Sequence, residues 1–306
     1  MQQVGHAFSL DTEVLEASTQ TWLVKLVKPI RAPRGQRKVL DSTVARLLNP
    51  HAPCLKVCPQ CLREGNAIRL VWQTNWAVVC LRHEALLVDT CPACQQQIAA
   101  NRSPFGIVAP ADVCGNRYRG SACSQPLRTL SSVSARPHPR LIAAQRVLEA
   151  ALAGRSQAVG GKTYSPFALL HELRTLLELV WIVWPARHLE HVPEPIRHTF
   201  IEYTLTRSRS QGSLDDVYMD RTSDARGSVA LNAVGLPIAL DWLELSSPES
   251  ISAALTRAIQ RSVFAHPRYP KVLIRGFERA GLPFNREWDI ARTDVMRWMR
   301  RRYKLF

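Results

Sequence analysis

The chain has 306 residues, 46% of them hydrophobic, which is ample for a buried core and favours two domains. Its formal net charge of +15 favours a polyanionic partner, DNA, RNA or a membrane surface, over a basic surface that serves solubility alone. The most apolar run, Leu176 to Trp184, is far shorter than the ~20 residues of a membrane span, so a transmembrane protein is excluded.

Residues 1–49 form an N-terminal segment that contains a basic arm. Five cations lie between Lys28 and Lys38, and two prolines and a glycine in the same stretch argue against helix or strand. Such an arm suits contact with a phosphate backbone, and a solvated linker is the equally weighted alternative. The candidate nucleic-acid-binding residues of the arm are Arg31, Arg34, Arg37 and Lys38.

Three pairs of metal-ligand residues follow within residues 58–94, and two residues separate the members of each pair. This spacing lets a tight turn direct two side chains to one point, and thiolate and imidazole are ligands of tetrahedral Zn²⁺. The first two pairs predict one complete zinc site from Cys58, Cys61, Cys80 and His83.

The third pair needs two further ligands, and only two cysteines follow it in the chain. We therefore predict a second zinc site, and hence two Zn²⁺ ions per chain, from Cys91, Cys94, Cys114 and Cys123. Cys54 is left over, and a buried thiol is favoured over a substitute ligand.

Disulfide bonds are the alternative use of these eight cysteines. All of them lie between residues 54 and 123, which indicates local metal clips and not a framework across the fold. The first residues are polar and lack the apolar core of a secretory signal, so we expect the reducing cytoplasm of a bacterium.

A wider motif surrounds the predicted ligands. Cys58-Pro-Gln-Cys-Leu-Arg-Glu64 precedes Arg69 and Trp72, and then come Cys80-Leu-Arg-His83, a leucine-rich run and Cys91-Pro-Ala-Cys94. This order resembles the zinc-binding region of the TniQ/TnsD family, the target-selection proteins of bacterial transposons. The resemblance covers residues 54–127. Its closing part is similar at Cys123 to Leu127, whereas Cys114 lies further back than in the family.

The resemblance implies a non-enzymatic adaptor of DNA transposition. Such an adaptor links a target-recognising element to an AAA+ ATPase, which brings the transposase. The target element is either the protein's own DNA contacts or an RNA-guided CRISPR effector complex, and a homodimer is a further candidate assembly. The family's helix-turn-helix segment does not align with the 57 residues before Cys58, so we expect an adaptor and not an independent reader of DNA sequence. The alternative function is a zinc-containing DNA-binding transcriptional regulator unrelated to transposition.

The rest of the sequence predicts a mainly α-helical fold after a small zinc-bound module of β and irregular structure. The double zinc-finger or ribbon module spans residues 50–128, and the helical domain spans 129–306 with a flexible insert near 207–230. Within the module, Ile68 to Trp72 predicts a short strand or hairpin, with Trp72 as a packing residue. Apolar periodicity predicts helices at 141–152, 166–184, 249–265, 270–280 and 286–303.

The last two predicted helices are joined by a short turn with Gly281 at its start, which suits a helix-turn-helix. The final helix carries acidic residues early and basic residues late. The helix dipole accounts for this distribution, and nucleic-acid contact is an equally weighted reading. The candidate contacts are Arg297, Arg300, Arg301 and Arg302.

No catalytic motif accompanies these features. The sequence has no phosphate-binding glycine loop, no dinucleotide fingerprint and no nucleophile–base pair, and we predict that the protein is not an enzyme. His188, His191 and His198 lie among prolines without metal-site spacing and indicate a solvated connector.

Overall fold

The computed structural model describes eight stretches of the chain. They are residues 55–66, 68–98, 112–118, 121–183, 192–198, 228–245, 247–260 and 286–303. The basic arm, Cys54, His188, His191, most of the 207–230 insert and the predicted helix 270–280 lie outside the described residues. The helix-turn-helix therefore stays a prediction.

The cysteine-rich part contains very short elements. Helix α1 (Pro59–Arg63) has proline at its first turn, where no backbone N–H is needed. Two antiparallel hairpins follow, β1 (Val79–Cys80) with β2 (Ala85–Leu86) and β3 (Arg117–Tyr118) with β4 (Ser121–Ala122). Elements this short position ligands through turns and not through an extended sheet.

The predicted strand at Ile68 to Trp72 is wrong, because Leu70–Gln73 forms a 3₁₀ helix. The Trp72 N–H donates to the Arg69 carbonyl at 3.0 Å, and the Thr74 hydroxyl closes the turn on the Val71 carbonyl at 2.8 Å. This turn places Trp72 fully inside the protein, at 0% exposure. The packing role predicted for Trp72 is confirmed.

The remainder of the described chain is helical apart from one hairpin. Strands β5 (Gln157–Val159) and β6 (Lys162–Tyr164) pair antiparallel. The helices are α2 (Pro139–Leu152), α3 (Pro166–Val183), α4 (Val229–Leu243), α5 (Pro248–Gln260) and α6 (Arg286–Arg302). Among these described helices, none combines the length and the apolar character that crossing a membrane requires.

Most helix predictions are confirmed. The predicted helices 141–152, 166–184 and 286–303 agree with α2, α3 and α6 to within two residues. Helix α5 begins as predicted, and the residues after 260 lie outside the described part of the chain. The helical character of this half of the protein therefore follows from apolar periodicity alone.

Helix α4 departs from the prediction. It begins at Val229, inside the predicted flexible insert, and continues through Pro237. Every residue of α4 except Ala230 and Asp241 is buried. Packing against α2 and α3 on several sides outweighs the single backbone hydrogen bond that proline removes.

The buried side chains form one large and one small core. The large core runs without a break from Cys58, Cys61 and Cys80 to the five helices. The small core consists of Val57, Cys91, Cys94, Ile98, Cys114, Leu127 and Leu130. Ile68 packs against both cores. The domain boundary between residues 128 and 129 stays a prediction.

Buried hydrogen bonds join the cysteine-rich part to the helices. The Gln145 side chain of α2 accepts from the backbone N–H groups of Val78 and Val79 at 2.9 and 3.2 Å. The Asn232 amide of α4 donates to the Asn75 carbonyl at 3.0 Å. These bonds fix the segment that leads into Cys80.

Lys56 also forms hydrogen bonds with the segment before Cys80. Its side chain is buried, and its ammonium donates to the carbonyls of Thr74, Asn75 and Ala77 at 2.9, 2.7 and 3.0 Å. An ammonium has three donors, and these three carbonyls use all of them. The loop from Thr74 to Ala77 is thus held around one buried cation.

Candidate metal centres

The first candidate centre consists of Cys58, Cys61, Cys80 and His83, whose ligand atoms lie within 4.8 Å of one another. The Sγ atoms of Cys61 and Cys80 are 3.7 Å apart. The His83 Nδ1 atom lies 3.4, 3.3 and 3.7 Å from the Sγ atoms of Cys58, Cys61 and Cys80. Metal–sulfur bonds of ~2.3 Å and metal–nitrogen bonds of ~2.1 Å give tetrahedral edges of about 3.8 and 3.6 Å. The group therefore has the size of a tetrahedral metal site.

Local structure directs these four side chains to one point. Cys58 is the N-cap of α1, and Cys61 lies in the same helix, so one turn presents both thiols. Cys80 ends β1, and His83 lies in the connection to β2. Glu84 completes this connection with φ +46°, the left-handed conformation that lets the chain reverse directly after His83.

Glu64 fixes the orientation of the His83 ring. The His83 Nε2 atom and a Glu64 carboxylate oxygen are 2.9 Å apart. This hydrogen bond and nearby Arg82 hold the pKa of Glu64 below its usual range. With the proton on Nε2, the Nδ1 lone pair faces the three thiols, as a metal ligand requires. Glu64 is thus a positioning residue for the first centre.

Hydrogen bonding also favours a thiolate in the first centre. The hydrogen bond with the Cys58 side chain lowers the pKa of Cys80 to about 4, helped by the backbone N–H groups of His83 and Arg82. The same interaction and burial raise the pKa of Cys58. At neutral pH the group therefore already carries a thiolate, the form of cysteine that binds metals.

The second candidate centre consists of Cys91, Cys94, Cys114 and Cys123, again with all ligand atoms within 4.8 Å. The Sγ atoms of Cys91 and Cys123 are 3.8 Å apart, and so are those of Cys94 and Cys114. Both distances equal the tetrahedral edge of about 3.8 Å expected for four sulfur ligands. Cys114 and Cys123 therefore join this group without the two-residue spacing of the other ligand pairs.

A β-hairpin brings Cys114 and Cys123 together although they lack the short spacing of the other ligand pairs. Cys114 and Cys123 flank β3 and β4, and the Cys123 N–H donates to the Asn116 carbonyl at 2.6 Å while Gly115 N–H donates back to the Cys123 carbonyl at 3.0 Å. Residues distant in sequence are opposite each other in an antiparallel pair. The paired strands β3 and β4, which lie between the two cysteines in the chain, therefore bring them together.

Asn116 contributes to the electrostatics of the second centre. Its side-chain amide lies 3.5 Å from the Cys94 sulfur and donates to the Gln97 carbonyl at 2.8 Å. Burial opposes ionisation of Cys94, but Asn116 and the backbone of Gln96 lower its pKa to about 7. An N–H group directed at the sulfur stabilises a thiolate there.

Disulfide bonds do not form among the seven described cysteines, which are all free. Their sulfur atoms stand 3.7–3.8 Å apart in the pairs given above, against ~2.05 Å for a disulfide. Both groups of four could hold a metal ion.

Comparison with protein families identifies the part of the chain that contains the first centre. Residues 2–87 match the TniQ family model. This segment is therefore similar to the TniQ family. No curated protein and no solved structure matches the chain. The resemblance predicted from the ligand motif is confirmed, and TniQ is a family associated with transposition.

The reach of the TniQ match corrects the sequence analysis. The match begins at residue 2, so it includes the N-terminal segment that we could not align with the family. It ends at residue 87, after His83 and before Cys91, whereas the predicted resemblance ran to residue 127. The first centre therefore lies inside the TniQ match, and the second lies beyond it.

Of the predicted nucleic-acid contacts, the structure describes those in α6. Arg31, Arg34, Arg37 and Lys38 are outside the described residues. Arg297 is 66% exposed in its side chain and pairs with Asp294 at 3.1 Å. Arg300, Arg301 and Arg302 are exposed in the last turn of α6. The structure thus presents a cluster of arginines at one helix end.

Sequence reasoning missed the roles of Glu64 and Asn116. The sequence did place Glu64 in the family motif, three residues after Cys61, but gave it no function. A carboxylate one turn after a ligand is the signal that could have indicated support of a histidine ligand. Asn116 has no comparable signal, because its contact depends on the β3–β4 hairpin.

Proposed function

We propose that each centre binds one Zn²⁺ ion. Three thiolates with one imidazole, and four thiolates, in groups of tetrahedral size are donor sets that suit zinc. Zinc supplies structural cross-linking in such sites, because four protein ligands leave no position for a substrate. Metal analysis of the purified protein should give two equivalents of zinc; a metal-free, folded protein would refute the assignment.

We further propose that the protein is an adaptor that selects the target of DNA transposition. It connects a target-recognising element to an AAA+ ATPase and thereby to a transposase. The observation that carries this proposal is the TniQ match over residues 2–87, which contains the complete first centre. A transcriptional regulator unrelated to transposition is not favoured, because the match is to a transposition-associated family.

The adaptor role is tested by co-purification. The tagged chain is expressed with the ATPase, the transposase and any guide-RNA complex encoded at its own locus, and the retained proteins are identified after nuclease treatment. We expect the ATPase or the target-recognising complex to be retained without DNA. A matched Cys58→Ser variant should lose this retention, because ligand loss unfolds the first centre. Retention of neither partner would refute the adaptor role and favour a regulator.

We propose that DNA is contacted by the arginines at the end of α6. Arg297, Arg301 and Arg302 are exposed there, and two acidic residues of α6, Glu287 and Asp289, lie in its first turn. The third, Asp294, pairs with Arg297. Such side chains contact phosphates, so the affinity should fall steeply with salt and depend little on sequence. The basic arm at Arg31 to Lys38 is a second candidate contact of the same kind.

The arginine contact is tested by replacing Arg300, Arg301 and Arg302 with Ala and measuring DNA affinity at several salt concentrations. The variant should bind more weakly, and its salt dependence should become shallower. A charge-matched control replaces Arg140, Arg146 and Arg155, exposed residues on and just after α2. Equal effects of the two triple replacements would indicate net charge and refute a contact at α6.

A further inference from the structure

The two metal centres have different surroundings. Cys58, Cys61 and Cys80 belong to the large core, which continues into the five helices. The cysteines of the second centre share the small core with only four other buried residues, Val57, Ile98, Leu127 and Leu130. The first centre is therefore part of the large core, whereas the second centre contributes three of the seven buried residues of the small core.

An open groove also adjoins the second centre. An open groove of about 380 Å³ is lined by Cys94 and Cys123, two ligands of the second centre. The rest of its lining is small or polar and includes Ala93, Ser121, Ala122 and Ser124. In each centre three cysteines are buried and the fourth ligand is partly exposed. In the first centre that fourth ligand, His83, is hydrogen-bonded to Glu64.

Exchange of a protein-bound metal requires an incoming ligand to reach it. The groove lined by Cys94 and Cys123 offers such access at the second centre. Opening the second centre disturbs the small core, whereas opening the first disturbs the large core. The buried Lys56 and Gln145 contacts also hold the segment before Cys80 in place.

We propose that the second centre is an exchangeable metal site, which can be emptied and refilled through the Cys94–Cys123 groove while the first centre stays occupied. The ligands that it admits are small soft donors, such as thiols and nitrogen chelators. This inference rests on the proposed zinc content of both centres. The small core around the second centre would then change structure with metal supply, and the five helices α2 to α6 would not.

The test follows zinc release from the purified protein into excess chromophoric nitrogen chelator. We expect two phases of one equivalent each, with the first at least tenfold faster. Among the described residues, Trp72, Trp76, Trp242 and Trp288 are all buried in the large core. Tryptophan emission should therefore stay constant during the fast phase and change only during the slow phase.

Two variants assign the phases. Cys91→Ser combined with Cys94→Ser should remove the fast phase and keep the slow one. Ala122→Phe narrows the groove and should slow the fast phase severalfold, while Ala143→Phe, at an exposed alanine of α2, should not. If the double variant fails to fold, the emission trace of the unmodified protein still decides which core responds first.

The outcomes separate the two proposals. Protein purified without zinc would refute the zinc assignment itself. Two equivalents released in one phase, or a fast phase accompanied by the tryptophan change, would leave that assignment intact and overturn the exchangeable second centre. An unchanged fast phase in the Ala122→Phe variant would overturn access through the groove.

Discussion

The turn of the β5–β6 hairpin permits a sharp test of the packing. Gly160 and Gly161 connect Val159 to its partner Lys162, and both have positive φ, +56° and +76°. A Cβ atom on Gly160 would lie 2.6 Å from the Glu244 Cα and 2.7 Å from its carbonyl oxygen, at the end of α4. A Cβ atom on Gly161 would meet nothing within 4 Å.

These distances give different magnitudes for the two alanine variants. Both lose about 1–2 kcal/mol, because alanine is strained in the left-handed conformation. Gly160→Ala also forces the turn away from the Glu244 backbone, and overpacking of this kind costs roughly 1–3 kcal/mol more. We therefore expect Gly160→Ala to destabilise the protein by about 2–5 kcal/mol and Gly161→Ala by about 1–2 kcal/mol.

The assay is urea unfolding at saturating zinc, monitored by tryptophan fluorescence. Trp242 lies two residues before Glu244 and is buried, so it reports on the contact directly. Comparison of the two variants cancels the strain that they share. Equal unfolding midpoints would refute the packing of this turn against α4.

Three further predictions concern single side chains. Glu64→Ala should weaken zinc binding at the first centre about 10–100-fold, because the carboxylate supports the His83 ligand. Chelator competition measures this loss, and replacement of the exposed Glu194 by Ala is the control. Burial raises the pKa of Glu172 from 4.5 to about 7, so ionising this carboxyl in the folded protein costs stability as pH rises from about 4.5 to 7. The Glu172→Gln variant should thus be more stable than the unmodified protein above pH 7, by up to about 3 kcal/mol. This difference in stability should disappear near pH 4.5. A difference that does not depend on pH would exclude the buried carboxyl as its cause. Gln95 has φ +57° in the turn after Cys94, so Gln95→Gly should be tolerated in thermal unfolding, whereas Gln95→Val should lower the melting temperature.

The ligand groups could be predicted from the sequence because most of their geometry is local. Two residues between Cys58 and Cys61 are enough to bring both thiols to one side of a single turn. The amphipathic helices α2 and α6 are likewise visible in their apolar period, which depends only on residues a few positions apart. For the second centre, Cys114 and Cys123 were predicted as partners because they are the only cysteines after Cys94, although the intervening hairpin was not foreseen.

The missed features depend on contacts between distant residues. Helix α4 contains Gly235 and Pro237, which argue against a helix in isolation, and only burial against α2 and α3 stabilises it. Residues 70–73 form a 3₁₀ helix and not the predicted strand, and Trp72 is buried in the large core. Burial in this core is not visible in the local sequence pattern. The Glu64–His83 hydrogen bond joins residues 19 positions apart, which no local pattern specifies.

The carbonyl of Asn75 links the cysteine-rich part of the described chain to helix α4. It accepts hydrogen bonds from both the Lys56 ammonium, at 2.7 Å, and the Asn232 amide of α4, at 3.0 Å. Moving α4 away would remove the Asn232 donor from this oxygen and break one buried hydrogen bond, which contributes about 0.5–1.5 kcal/mol. Any displacement of α4 relative to residues 74–77 must therefore break a buried hydrogen bond of the segment that matches the TniQ family.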